Sequence, residues 1–179
     1  NNQAIVLKAA QKQFLNLQHF AQAVKSGDTD NREGSAAQAY WPQLLGSEFK
    51  RDQDAEGLNC FLNYGYAILR SSVARSIVGV GLHPAFGLFH HNSENLMPLA
   101  DDFMEPWRPI VDIAVYKLFL AHATVLTPKE KKYLAHILDW DMQSEKGQSP
   151  LRLCIQQMCL SFVHICLGDS SALTIAQLP

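Results

Sequence analysis

From Leu58 to Val80 the chain carries an uninterrupted helical pattern with two unlike faces, and no other stretch constrains the fold as much. At about 100° per residue, Asn59, Asn63, Tyr66 and Arg70 fall on one stripe. Phe61, Leu62, Gly65, Ile68, Leu69 and Ser72 fall opposite, where the glycine and serine suit close packing against another helix.

The rest of the chain has the same period. Ala4 to Val24 is rich in Ala, Gln and Leu at helical spacing and ends before Ser26-Gly27-Asp28. Asp30, three residues before Glu33, is a plausible cap for a helix through Ala36 to Tyr40, which Pro42 is expected to kink or shorten. Lys50 to Gly57 is a polar connection, and Gly79, Gly81 and Pro84 mark a break. Short helical stretches are expected near Phe86–His91 and Glu94–Met104, and another after Pro106 and Pro109 to about His122. Thr127-Pro128-Lys129-Glu130 is a helix start, Ser149-Pro150 repeats the device before Leu151–Leu167, and Gly168 is a stop. No alternating strand pattern of useful length is present. The expected fold class is all-α, a single multi-helix domain over residues 1–179.

Composition narrows the functional class. The 179 residues are 47% hydrophobic and 18% charged, a globular balance. Fifteen basic residues against 17 acidic ones, a net charge of −2, count against a free-standing nucleic-acid binder, so any DNA contact must come from a local patch, a metal or another part of the protein. No apolar run reaches membrane-spanning length and no signal-peptide pattern opens the chain. The four cysteines show no CxxC spacing and read as small buried hydrophobes in a reducing cytoplasm. The first residue is Asn1 rather than methionine, which suggests a fragment.

The chemistry concentrates between Gly81 and Asp112. Here Gly-Leu-His-Pro-Ala-Phe-Gly-Leu-Phe-His-His-Asn is followed by Leu-Ala-Asp-Asp-Phe-Met-Glu-Pro-Trp-Arg-Pro-Ile-Val-Asp. His90 stands fifteen positions before Glu105. Asp102 shares a helical face with Glu105 at three apart, and Asp101 does so at four, which leaves two choices for the nearer aspartate. Carboxylates and an imidazole can hold Mg²⁺ or Mn²⁺ with positions open for phosphate and water. Structural zinc is disfavoured, since no cysteine lies in the stretch. Each residue also has a plain reading: a solvated acidic face, a His91–Glu94 ion pair, and salt bridges for Arg70, Arg75 and Arg108.

Glu33-Gly-Ser-Ala-Ala, then Leu62-Asn-Tyr-Gly-Tyr66, then the run above resemble the CRISPR-associated endonuclease and integrase of spacer acquisition, in its type II-like form. The likeness spans Glu33 to Asp112. It implies the C-terminal helical catalytic domain of that family, with a metal site of Mg²⁺ or Mn²⁺ on Glu33, His90 and Glu105, and Asp102 one turn away; His91 is the alternative imidazole. Tyr64 falls where the family places an aromatic near the site. Arg70, Arg75 and Arg108 are the implied phosphate contacts or supports of the acidic ligands. The implied reaction is attack of a DNA 3′-hydroxyl on a phosphodiester at the CRISPR repeat, or hydrolysis of branched DNA. The implied partners are double-stranded or branched DNA, the second CRISPR adaptation subunit, a homodimer of the full-length protein, and the type II effector nuclease. The family's N-terminal β domain, of ordinary domain size, has no counterpart in this sequence. A truncated or non-catalytic DNA-binding protomer is the alternative. A ferritin-like oxidase would need paired Glu-x-x-His motifs, which the chain lacks.

Overall fold

The computed structural model describes residues 2–12, 32–88, 94–144 and 147–178. Its centre is a long helix, Leu58–Gly79, against which four other helices pack. In chain order the helices are α1 (Asn2–Ala9), α2 (Arg32–Leu45), α3 (Leu58–Gly79), α4 (Pro98–Met104), α5 (Arg108–Leu120), α6 (Pro128–Ala135) and α7 (Leu151–Leu167). A 3₁₀ turn, Glu105–Trp107, joins α4 to α5, and α3 contacts α4, α5, α6 and α7.

The two-faced reading of α3 holds in part, because Asn59 and Tyr66 of the polar stripe are buried and Ile68 of the apolar face is only half-buried. Phe61, Leu62, Gly65, Leu69, Ser72, Val73 and Ile77 are buried. Gly65 is needed for the crossing with α5: a Cβ placed there would lie 2.6 Å from Cγ1 of Val111. The polar stripe shapes the chain before it. Asn59 Oδ1 accepts from the Asp52 amide at 3.0 Å, its Nδ2 donates to the Lys50 carbonyl at 3.0 Å, and Asn63 Nδ2 donates to the Gln53 carbonyl at 2.7 Å. The polar connection of residues 50–57 is therefore folded onto the first turns of α3.

Helix ends account for several departures from expectation. At α1 the chain turns at Gln11, with φ of 55°, and the Lys12 amide bonds back to the Leu7 carbonyl at 2.8 Å. This is a Schellman ending without glycine, so the expected Ala4–Val24 helix stops at Ala9; residues 13–24 lie outside the described residues. The same bond pattern closes α3 at Gly81, α5 at His122 and α7 at Gly168. Pro42 does not shorten α2, which runs on to Leu45. Loss of one backbone bond there, about 3 kcal/mol with the proline clash, is offset by burial of Trp41, Leu44 and Leu45. Pro98 sets the start of α4, so residues 94–97 are not helical, nor are Phe86–Leu88.

The expected Thr127 capping box is present, with Glu130 accepting from the Thr127 amide at 3.1 Å. α7 starts at Leu151 as expected, but Pro150 is its N-cap residue and no side chain caps it: Ser149 and Pro150 belong to a short antiparallel hairpin, Asp141–Ser144 with Gly147–Pro150, that the sequence pattern did not announce. Of its side chains only Met142 is buried, which explains the missing alternation. Cys154 and Cys159 are buried as expected, but Cys60 is half-buried and Cys166 is exposed. No helix among the described residues is long and apolar enough to cross a membrane.

Gly65→Ala is expected to destabilise the fold by about 1–3 kcal/mol, against a gain of up to about 1 kcal/mol in helix propensity. Gly79→Ala, where a methyl meets nothing within 4 Å, is expected to be neutral or slightly stabilising. Urea unfolding of both variants checks this, and equal effects would disprove the role of the Val111 contact.

Candidate functional site

Glu105 opens the 3₁₀ turn between α4 and α5, with its side chain 48% exposed. Arg108 Nη1 donates to its Oε1 at 2.7 Å. The Arg108 guanidinium lies 4.7 Å from the Tyr66 ring centroid, and that of Arg51 lies 5.8 Å from it. Arg51 is fixed in turn by Asn59 Oδ1 at 3.0 Å and Asn63 Oδ1 at 2.7 Å. Burial, the largest influence on Arg108, disfavours its charge, yet Glu105, Tyr66 and Asp112 outweigh it and raise the guanidinium above its usual range.

Beneath these arginines is Asp112, which is 4% exposed. Tyr40 Oη donates to its Oδ2 at 2.6 Å, and Tyr66 Oη donates to its Oδ1. Burial first, and Asp112 second, raise both tyrosines well above their usual range, so they serve as neutral donors. Burial pushes the Asp112 carboxyl up to about 6, against the downward pull of the two hydroxyls and the Arg108 and Arg51 charges.

The two aspartates of α4 have different tasks. Asp101 is bound by Arg70, Nε to Oδ1 at 2.6 Å and Nη2 to Oδ2 at 2.9 Å, and Asn95 Nδ2 donates to Oδ2 at 2.7 Å. Asp102 Oδ2 accepts from the Leu88 amide at 2.6 Å, while the Leu99 amide bonds to the Pro84 carbonyl at 2.9 Å. Both bonds tie the segment leading to His90 onto α4. Arg70 and Arg108 therefore form the salt bridges that their plain reading allows.

His90 and His91 lie outside the described residues, so the His91–Glu94 pair does too. Glu33 falls in the first turn of α2, two helical turns before Tyr40, and its side chain lies outside the described residues. Among the described residues no three His, Cys, Asp or Glu side chains gather at metal-binding distance. Tyr64 lies about 200° around α3 from Tyr66, beside a groove it lines with Ala67, Ile68, Ser71 and Arg75, and Lys131 Nζ is 5.8 Å from its ring. The tyrosine beneath Arg108 is Tyr66.

Sequence reading passed over Tyr40, Arg51, Asn95 and Asp112. The signal for Asp112 was available: a lone acid within Ile110-Val111-Asp112-Ile113-Ala114, one turn after Arg108.

These arrangements can be set beside known proteins. The family model described as CRISPR associated protein Cas1 matches residues 2–132. The CRISPR-associated endonuclease Cas1 of Neisseria meningitidis serogroup C is 40% identical over 148 residues, covering 82% of this chain and 48% of that protein. CRISPR-associated endonuclease Cas1 2 of Pyrobaculum aerophilum is 35% identical over 121 residues, covering 64% of this chain and 41% of that protein. Among solved structures, a casposase bound to integration product superposes with a TM-score of 0.75 at 24% identity, covering 90% of this chain and 54% of that one. A Cas1 protein from Thermotoga maritima superposes with a TM-score of 0.75 at 16% identity, covering 96% of this chain and 65% of that one. The chain is a member of the Cas1 family, the one its motifs resemble, and the two superpositions show the shared helical fold. It spans about half the length of the curated relatives it matches.

The folded protein keeps a proton on Asp112 that the unfolded chain releases near 3.8. Stability from this group is therefore full below about pH 4 and is lost as pH rises through about 6. The difference in unfolding free energy between wild type and Asp112→Asn is expected to fall across that window, by something on the order of 2–3 kcal/mol. Urea titrations at each pH measure it, and a difference that does not change with pH would refute the assignment.

Proposed function

We propose that this chain is the helical catalytic domain of a metal-dependent DNA endonuclease and integrase that inserts spacer DNA into a CRISPR array. The observation that carries the reading is Glu105: a half-exposed carboxylate held by Arg108, in a member of a family whose curated relatives are named endonucleases. Its donor chemistry fits a hard divalent ion, Mg²⁺ or Mn²⁺, completed by Glu33 and His90. When bound, such an ion stabilises charge developing at phosphorus and lowers the pKa of attacking water.

The chain's own groups supply the rest. Arg108 orients the Glu105 carboxylate, and Asp102 anchors the segment that precedes His90. Arg70 neutralises Asp101 beside the site and so keeps a second negative charge from facing phosphate. In the proposed reaction a 3′-hydroxyl oxygen bonds to phosphorus while the existing ester bond breaks, and the departing oxygen takes a proton; water in place of the hydroxyl gives hydrolysis. DNA contacts by Tyr64 and Arg75 would lie on a separate face of α3. The proposed partners are double-stranded or branched DNA, the second CRISPR adaptation subunit, a second copy of the full-length protein, and the type II effector nuclease, in the cytoplasm.

The test is cleavage or disintegration of a branched DNA by the full-length protein with Mn²⁺, Mg²⁺ or EDTA. Activity is expected to require metal and to fall at least about 100-fold in His90→Ala and Glu105→Ala. Metal-dependent activity that survives both substitutions would sink the ligand assignment. DNA binding with no activity under any metal would favour the non-catalytic protomer.

A further inference from the structure

We propose that Asp112 is a positioning residue that aligns the helix carrying Glu33 with the turn carrying Glu105, through Tyr40, Tyr66 and Arg108. The inference rests on the reading of Glu33, His90 and Glu105 as metal ligands. The two carboxylates sit on separate elements, α2 and the turn before α5, far apart in sequence. Something must hold those elements in register if both are to serve one ion.

Asp112 is placed to do so. Its two oxygens accept from tyrosines of two different helices, Oδ2 from Tyr40 on α2 and Oδ1 from Tyr66 on α3. Tyr40 lies on α2 two turns after Glu33, and Arg108 lies one turn before Asp112 on the same side of α5. Arg108 stacks on the Tyr66 ring and donates to Glu105. One buried carboxylate thus connects to both ligand-bearing elements without being near enough to solvent to act on substrate.

Stability alone is a poor explanation for this group. A charge at 4% exposure is costly, and a buried ionic cluster is often replaced by apolar side chains at no loss. Two phenylalanines and a leucine would fill the same volume. They would leave Arg108 without the counter-charge beneath it and α2 without its bond to α5. Outer-sphere groups that orient metal ligands commonly shift metal affinity by about 10–100-fold when removed.

Tyr40→Phe is the cleanest variant, because it cuts the tie to α2 and leaves the Arg108–Glu105 pair in place. Mn²⁺ binding to the full-length, DNA-free protein is measured by the electron paramagnetic resonance of the free ion, with thermal unfolding recorded in parallel. Tyr40→Phe and Asp112→Asn are each expected to weaken Mn²⁺ about tenfold while remaining folded at the assay temperature. Tyr133→Phe, on α6 against Trp140, is expected to leave Mn²⁺ binding unchanged. Folded variants that bind Mn²⁺ as wild type does would overturn the positioning role. Should Asp112→Asn fail to fold, Tyr40→Phe alone decides the question. Failure of the underlying reading looks different: wild type and Glu105→Ala would then bind Mn²⁺ equally.

Discussion

The arrangement depends on how closely α3 and α5 approach. Gly65 admits the Val111 side chain to a distance that no Cβ would allow, and the residues next in sequence are Tyr66 and Asp112. Because the Val111 side chain seats against the α3 backbone there, the Tyr66 hydroxyl reaches the Asp112 carboxylate and its ring lies under Arg108. Widening the crossing by the thickness of a methyl group would separate all of these groups. An apolar packing contact therefore sets the geometry of a polar network, and interiors packed to crystal-like density transmit such shifts rather than absorb them.

The network also explains how an acidic chain can present basic side chains near a candidate DNA site. Arg51, Arg70 and Arg108 are each committed to oxygen acceptors of the protein itself. The charges of Arg70 and Arg108 are matched by Asp101 and Glu105, so the net charge of −2 says little about the field at Glu105. Arg75 differs: it lies exposed beside Tyr64, and among the described residues no ion pair engages it.

Much of this was legible in the sequence. The stripe of Asn59, Asn63, Tyr66 and Arg70 was visible from periodicity alone, and every member proves to be a hydrogen-bonding residue of α3. Helix ends were legible where glycine marked them, at Gly81 and Gly168, and the end expected near His122 falls within two residues of it, whereas the end at Gln11, where a side-chain residue takes the left-handed conformation, was not legible. The choice between Asp101 and Asp102 needed three dimensions, because it turns on Arg70 and Asn95 reaching one and the Leu88 amide reaching the other. Tyr64, read from its motif position, points to the side of α3 opposite Tyr66. Glu33 and His90 stay as read from the motif, since the side chain of one and the whole of the other lie outside the described residues.

The bonds that surround α3 fall into two classes by the length of chain they enclose. Asn59 and Asn63 tie down Lys50, Arg51, Asp52 and Gln53 across separations of 7 to 12 residues, whereas Tyr40 and Asp112 are 72 residues apart. Closing a short loop costs little entropy and closing a long one costs more, so local contacts tend to form first and distant ones late. The α3 scaffold with its wrapped connection is an early-forming unit by this measure. The bond that joins the Glu33 helix to the Glu105 side closes a much longer loop and forms after that unit by the same measure.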